Sequence, residues 1–212
     1  MTGPSSSHTA GAVKLARLAA SVWNRPVGKV EIHLRGSFAA TWWGHGTDRA
    51  LLAGLAGLLP DDPRVPDAYE EAGKGNIQWS FYTEDIDGAH PNSVRFRFHE
   101  DEKVMDVEGA SVGGGAIRLI SIDGFRFDLT GELPSIITFH SDTPGVVAAI
   151  AGTLASRGLN IATLSLHRQG RGRDAVMVAE LDEPAPEAAV QAVRSCHQGI
   201  HRVLAIDGGD GR

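Results

Sequence analysis

SIITFHSDTPGVVAAIAGTLASRGLNIATLSLHR, residues 135–168, is the stretch on which the fold turns. Its first seven residues, Ser135–Ser141, are rich in β-branched and aromatic side chains and read as a strand. Asp142 and Pro144 then mark a helix start. Val146, Val147, Ile150, Ala151 and Leu154 recur at helical spacing, and Gly158 stops the helix. Asn160–His167 and Asp174–Leu181 read as two more strands joined by RQGRGR at 168–173. Pro184 and Pro186 lead into a second helix over Glu187–Cys196, and Ile200–Ile206 is a closing strand. The element order is β-α-β-β-α-β.

That order is the ferredoxin-like pattern. Working upstream, DLTGELPS at 128–135 sets Thr130, Gly131 and Pro134 between two apolar stretches. Glycine and proline punctuate joints, so the chain divides into domains 1–133 and 134–212. In the first, residues 10–23 read as a helix and Val30–Leu34 as a strand. A loop follows, then a helix over Thr47–Leu59 and a proline-rich connector at 60–66. A short helix over Asp67–Gly73 precedes strands at Ile77–Thr83, Ser93–His99 and Lys103–Ala110. Ala116–Ile122 and Phe125–Leu129 suit a hairpin across Asp123-Gly124. The class is α+β: a mixed N-terminal domain followed by a βαββαβ domain.

Composition narrows the function. The chain has 212 residues, 42% of them hydrophobic, enough for packed cores rather than wholesale disorder. Its single cysteine, Cys196, excludes an internal disulfide, a multi-thiolate zinc site and a four-cysteine cluster held by this chain alone. Cys196 itself reads as a small buried residue of the last helix. The net charge of −6 disfavours a nucleic-acid-coating protein, and the arginines of 168–173 read as a solvated hairpin loop. No apolar run is long enough to span a membrane, and the first residues carry no secretory pattern, so a cytoplasmic protein is expected. The 26 glycines cluster in motifs, at 44–46, 113–115, 145 and 158.

Four of those motifs carry a resemblance. GPSSSHTAGAVKLAR at 3–17, GHGTDRAL at 44–51, HPNSVRF at 90–96 and SVGGGAI at 111–117 stand in the order found in the beta chain of iron–sulfur-dependent L-serine dehydratase. Residues 135–168 resemble an ACT domain, a small-molecule-sensing module, through Asp142, Pro144, Gly145, Gly158, Asn160 and Ile161. The resemblance implies elimination of water from L-serine to give, finally, pyruvate and ammonia. It also implies a 4Fe-4S cluster held by a partner alpha chain, whose open iron acts as Lewis acid on the leaving hydroxyl. No metal ligand is expected on this chain. A homodimer through the ACT domain is expected, as is a small amino acid as substrate or effector. A non-catalytic module that senses serine or another amino acid is the competing expectation.

The residues can be weighed for that chemistry. Ser5, Ser6, Ser7 and Thr9 surround His8 just before a helix, where hydroxyls and free N–H groups suit a carboxylate. His8 titrates near neutrality and can move a proton, with Ser7 as its catalytic neighbour, although a serine could equally just cap the helix. His45, Thr47 and Asp48 lie where a glycine-flanked loop meets a helix, as candidate substrate contacts. Asp48 could cap that helix or orient His45. Where the family commonly has a lysine before its Gly-His pair, this chain has Trp42-Trp43, which puts an anion contact there in doubt. The resemblance implies a further strand-forming segment before the serine–histidine motif, where either the start is clipped or the strand is absent and the cleft looser. Gly113, Gly114 and Gly115 could form an anion-binding nest for substrate or a bend between strands. Pro91 holds His90 extended beside Asn92. Gly145 and Asn160 are candidate effector contacts or plain turn residues.

Overall fold

Alternation of apolar and charged residues builds the first sheet. A computed structural model of the chain describes residues 8–85 and 90–209, with Trp43 by its backbone alone. In β1 (Lys29–Arg35), Val30, Ile32 and Leu34 alternate with Glu31, His33 and Arg35, so each set takes one face. β2 (Gln78–Glu84) runs parallel to β1. On the other side of β1, β3 (Ser93–Glu100), β4 (Lys103–Gly113) and β5 (Ala116–Ile122) follow antiparallel, giving the order β2-β1-β3-β4-β5.

Helices cover the apolar face. α1 (Ala10–Trp23) lies on β4 and β5 and packs against α3 (Thr47–Leu55). Gly54 permits that close crossing, since a Cβ there would stand 2.3 Å from the Val13 carbonyl oxygen. α4 (Ala68–Lys74) packs on α3. The opposite face carries an ion network instead of a core. Arg35 pairs with Glu84 and Glu108 at 3.0 Å each, Arg97 with Asp106 at 2.8 Å, and Arg95 with Glu84.

One expected loop is a helix. Residues 36–46, read from sequence as a connection, form α2 (Gly36–His45), which ends in a left-handed Gly46 before α3 begins. Its sequence, GSFAATWWGH, holds two glycines and three aromatics, which dilute the helical pattern. Tertiary contact supplies what propensity lacks. Phe38 is fully buried, and its N–H donates to the Pro91 carbonyl at 3.2 Å. Gly36, at φ +53°, lies so close to Pro91 that a Cβ would meet its Cα at 2.7 Å. The next helix also stops earlier than expected, at Leu55, because Gly57 turns left-handed at φ +84°.

By compactness the chain divides between Gly124 and Phe125, so Phe125–Leu129 goes with the second unit rather than with residues 1–133. The turn expected at Asp123-Gly124 is present, both residues being left-handed at φ 48° and 79°. In the second unit, β6 (Phe125–Leu129) sets Phe125 edge-on to Phe139, the ring centroids 5.3 Å apart.

The remainder matches the sequence reading. β7 (Ser135–Ser141), α5 (Val146–Ser156), β8 (Ile161–Arg168), β9 (Asp174–Leu181), α6 (Glu187–Ser195) and β10 (Ile200–Ile206) follow in order. The four strands form one antiparallel sheet, β10-β7-β9-β8. Val146, Ile150 and Leu154 of α5 join Val190 and Val193 of α6 and Ile136, Met177 and Ala179 of the sheet in one core, with Cys196 at its margin. Among the described residues no helix is long and apolar enough to cross a membrane.

Candidate active site

α2, unforeseen as a helix, organises the first motif. Ser37, Thr41 and His45 follow each other at intervals of four, so they line one stripe of the helix. His8 lies on that stripe. Its Nε2 is 3.3 Å from Ser37 Oγ and 3.3 Å from Thr41 Oγ1. Its ring centroid is 5.3 Å from that of His45 and 5.3 Å from that of Phe38.

The Thr41 hydroxyl already donates to the Ser37 carbonyl at 2.7 Å, so it offers His8 only a lone pair. Ser37 Oγ, also 3.3 Å from Nε2, can either accept from that nitrogen or donate to it. Nδ1 is buried and has no hydrogen-bond partner among the described residues. Burial lowers the His8 pKa below 6.5, and the neighbouring His45 lowers it further. Near pH 7 the ring is neutral with a bare nitrogen, the state a general base requires.

The second motif lies alongside. Thr47 and Asp48 open α3 and are both buried, Asp48 only 4% exposed. Neither alternative expected for Asp48 is what the structure shows. It makes no cap bond, and its Oδ2 accepts the Tyr69 hydroxyl at 2.6 Å rather than orienting His45. Burial first, and then this bond to the carboxylate, push the Tyr69 phenol pKa up. Asp48 Oδ1 and Thr47 Oγ1 are buried without partners.

The third motif meets α2 through backbone, and the fourth meets the third. Besides the Pro91 contact with α2, the Ser111 N–H donates to the Asn92 carbonyl at 2.9 Å. The Asn92 N–H in turn donates to His90 Nδ1 at 3.1 Å. Asn92 Oδ1, Ser93 Oγ and Ser111 Oγ are buried with no partner. Each of the four motifs thus holds at least one buried, unsatisfied polar atom. Such atoms are rare in proteins and mark places where a ligand, water or partner completes the bonding.

Other candidates stand elsewhere. Ser5, Ser6 and Ser7 lie outside the described residues. Thr9 caps α1 through its backbone carbonyl, which accepts from the Val13 N–H, and makes no side-chain cap bond. Gly114 and Gly115 are the two turn residues of the β4–β5 hairpin, at φ 62° and 79°, with Gly113 paired to Ala116. That is a bend between strands.

In the second unit, Gly145 is left-handed at φ 93° and heads α5, while Asn160 donates its amide to Asp182 at 2.7 Å. Asp142 does not cap α5; its Oδ2 accepts the Gly172 N–H at 3.0 Å and pairs with Arg168 at 3.3 Å. It ties down the basic loop instead. Sequence reasoning missed Ser37, Thr41 and Tyr69. The first two carried a readable signal, their spacing of eight and four residues before His45, hidden only by taking 36–46 as a loop.

No group of three His, Cys, Asp or Glu side chains suited to a metal occurs among the described residues. Cys196, half-buried at the rim of the second core, is the chain's one cysteine. These residues do not fit an iron–sulfur cluster.

Two family models match the chain. The family model described as serine dehydratase beta chain matches residues 1–78, and that of the ACT domain matches residues 135–198. An L-serine dehydratase beta chain of Peptoniphilus asaccharolyticus is 37% identical over 91% of this chain and 88% of its own length. A probable L-serine dehydratase beta chain of Bacillus subtilis (strain 168) is 36% identical over 86% and 83%. An L-serine dehydratase of Escherichia coli (strain K12) is 26% identical over 97% of this chain, which spans 48% of that protein.

Proposed function

The chain belongs to the family of L-serine dehydratase beta chains, and from that premise we propose that it works as the beta subunit of a lyase converting L-serine to pyruvate and ammonia with an alpha chain. The observation that carries its own part in the chemistry is the pairing of His8 with His45 of α2, His8 Nδ1 having no hydrogen-bond partner among the described residues. His8 removes the α-proton of serine, and the electron pair expels the β-hydroxyl. The resulting aminoacrylate tautomerises to an imine and hydrolyses without further help. Burial first, and then His45 5.3 Å away, disfavour a proton on His8 in the resting state, and His45 is assigned the return of a proton to the leaving oxygen.

The iron–sulfur cluster belongs, in this proposal, to the alpha chain. The residues of this chain do not fit it, and no step assigned here runs through it. Pairing of the second unit with its copy is part of the same reading. It is supported by β8, an edge strand on which Leu164 and Leu166 are 41% and 43% exposed.

The test is anaerobic co-expression with a cysteine-bearing alpha chain and an assay of pyruvate from L-serine. The complex is expected to turn over serine, and His8→Asn to lower kcat by about a hundredfold or more, the usual weight of a general base. Turnover unchanged in His8→Asn overturns the role of His8. Failure of any alpha chain to bind overturns the subunit reading in favour of an amino-acid sensor.

A further inference from the structure

Among the described residues β2 ends the order of the first sheet, and its sequence does nothing to guard that edge. Edge strands invite pairing with other chains, and proteins usually blunt them with lysine, proline, a bulge or brevity. β2 is QWSFYTE, seven residues without proline or a basic side chain, and Trp79, Phe81 and Tyr82 are aromatic. Its ladder with β1 runs in unbroken register from Gln78 to Glu84, so no bulge twists it away. Its one charged side chain, Glu84, is turned to Arg35 and Arg95 of the same sheet. Tyr82 stacks on His33 with centroids 4.8 Å apart and is still 46% exposed.

Strand geometry fixes which backbone groups face outward. The Gln78 N–H donates to the Gly28 carbonyl at 2.8 Å, so Gln78 directs its backbone groups at the β1 side. In a parallel ladder alternate residues of a strand bond to the same neighbour. Ser80, Tyr82 and Glu84 therefore also face β1, and the N–H and C=O groups of Trp79, Phe81 and Thr83 point away from the sheet. Side chains alternate in the same rhythm. Trp79 and Phe81 turn to the helices, where they meet Tyr69 and Trp42, while Tyr82 and Glu84 turn to the charged face.

A second copy of the same strand fits these groups. Outward residues bond only to outward residues, and an antiparallel pair centred on Phe81 matches all of them. Phe81 meets its own counterpart, and Trp79 meets Thr83 of the copy. In that register Glu84 lies opposite Gln78 of the copy, so the strand's one carboxylate faces a neutral amide rather than a second carboxylate. Sliding the register either way sets an outward residue against one beyond the strand's end and removes this match. A two-fold pairing also covers both unprotected edges at once, which a single foreign strand does not.

We propose that β2 pairs antiparallel with β2 of a second copy of this chain, extending the first sheet across a two-fold axis at Phe81. This contact belongs to the first unit, whereas the pairing through β8 belongs to the second, and it does not depend on the role given to His8.

Cysteine cross-linking on the full chain tests the register. In a Cys196→Ser background, Ser80→Cys and Tyr82→Cys are made as separate chains, then mixed and oxidised mildly. Opposite residues of this non-hydrogen-bonded pair have Cα atoms about 4.5 Å apart, within disulfide reach, whereas either residue and its own counterpart are about 7–8 Å apart. The mixture is expected to give about fivefold more covalent dimer than either chain alone. Sedimentation reads the same contact without added cysteines. Thr83→Pro removes an outward N–H and leaves the β1 ladder intact, so one association step should weaken about tenfold or more. Gln78→Glu sets two carboxylates opposite each other and should weaken that step about fivefold, while Gln78→Lys should not. A general loss of structure does not separate those two substitutions.

Cross-linking no better in the mixture than in the separate chains overturns the proposal. So does self-association that neither Thr83→Pro nor Gln78→Glu alters. If Thr83→Pro self-associates normally but no longer binds an alpha chain, the edge belongs to that chain and the proposal falls.

Discussion

His8 shows how much one side chain can owe to its neighbours. Two imidazoles with centroids 5.3 Å apart resist double protonation, and burial opposes the first charge as well. Both effects lower the His8 pKa from 6.5, burial being the larger. The sign for stability follows from linkage. A histidine whose folded pKa lies below its unfolded value binds fewer protons folded than unfolded, so stability declines as pH drops from 6.5 through the folded value. Replacing His45 separates the two causes. In His45→Gln the neighbouring charge is gone and the burial remains, so the His8 titration midpoint should move up toward 6.5 without reaching it. Imidazole resonances followed by NMR across pH 5 to 8 read this directly. A midpoint that stays put would show that the two rings do not interact, and would remove the proton-return role given to His45.

At the scale of elements, the legible parts were those whose pattern is local. The second unit follows its sequence reading element by element because α5 carries Val146, Ile150 and Leu154 on one face and Gly158 at its end. α2 was illegible because tertiary contact forms it. Phe38 buries itself and Gly36 fits against Pro91, more than fifty residues away in sequence, which no window of neighbouring residues reveals. The candidate site divides in the same way. His8, His45 and Asp48 stood inside motifs, whereas Ser37 and Thr41 lay on the unrecognised helix and Tyr69 arrived from another element.

Two helical glycines put this distinction to a test. Alanine is favoured over glycine by about 1 kcal/mol inside a helix. At Gly152 of α5 a Cβ meets nothing within 4 Å, so Gly152→Ala should gain roughly 0.5–1 kcal/mol and raise Tm. At Gly54 of α3 a Cβ would sit 2.3 Å from the Val13 carbonyl oxygen and 2.7 Å from Ala16 Cβ. The helices must move apart, at a cost of about 1–3 kcal/mol that exceeds the propensity gain. Gly54→Ala should therefore lower Tm. Urea unfolding of the two variants, with opposite signs expected, decides whether packing or propensity governs α3.

Over the whole molecule, the two units rely on different physics. The second is built on an apolar core between its helices and sheet. The first has an apolar core on one face of its sheet and an ion network on the other, linking four strands through Arg35, Glu84, Arg95, Arg97, Asp106 and Glu108. Burial works to raise the Glu84 pKa, but Arg35, Arg95 and His33 outweigh it and hold it below 4.5. Arg97 and then Arg95 lower that of Asp106 against the effect of burial. Carboxylates with depressed folded values contribute stability that is complete above their unfolded values and disappears as pH falls through the folded ones. Acid should therefore weaken the first unit from about pH 4 downward, before the core of the second is touched.

Glu84 is the member on which the network converges, since it meets His33, Arg35 and Arg95. Glu84→Gln keeps the shape and removes the charge. The Arg35 side chain, 9% exposed, would then have only Glu108 to answer it. Breaking a buried pair from one side costs about 3–5 kcal/mol, and the remaining partner places this change near about 3 kcal/mol. Amide hydrogen exchange locates the loss. β1, β3 and β4 should exchange faster in the variant at pH 7 while β7 and β9 keep their protection, and the contrast between variant and parent should shrink as pH falls and Glu84 takes up its proton in the parent. Loss of protection spread evenly over both units would mean that the charged face is not a local support of the first sheet.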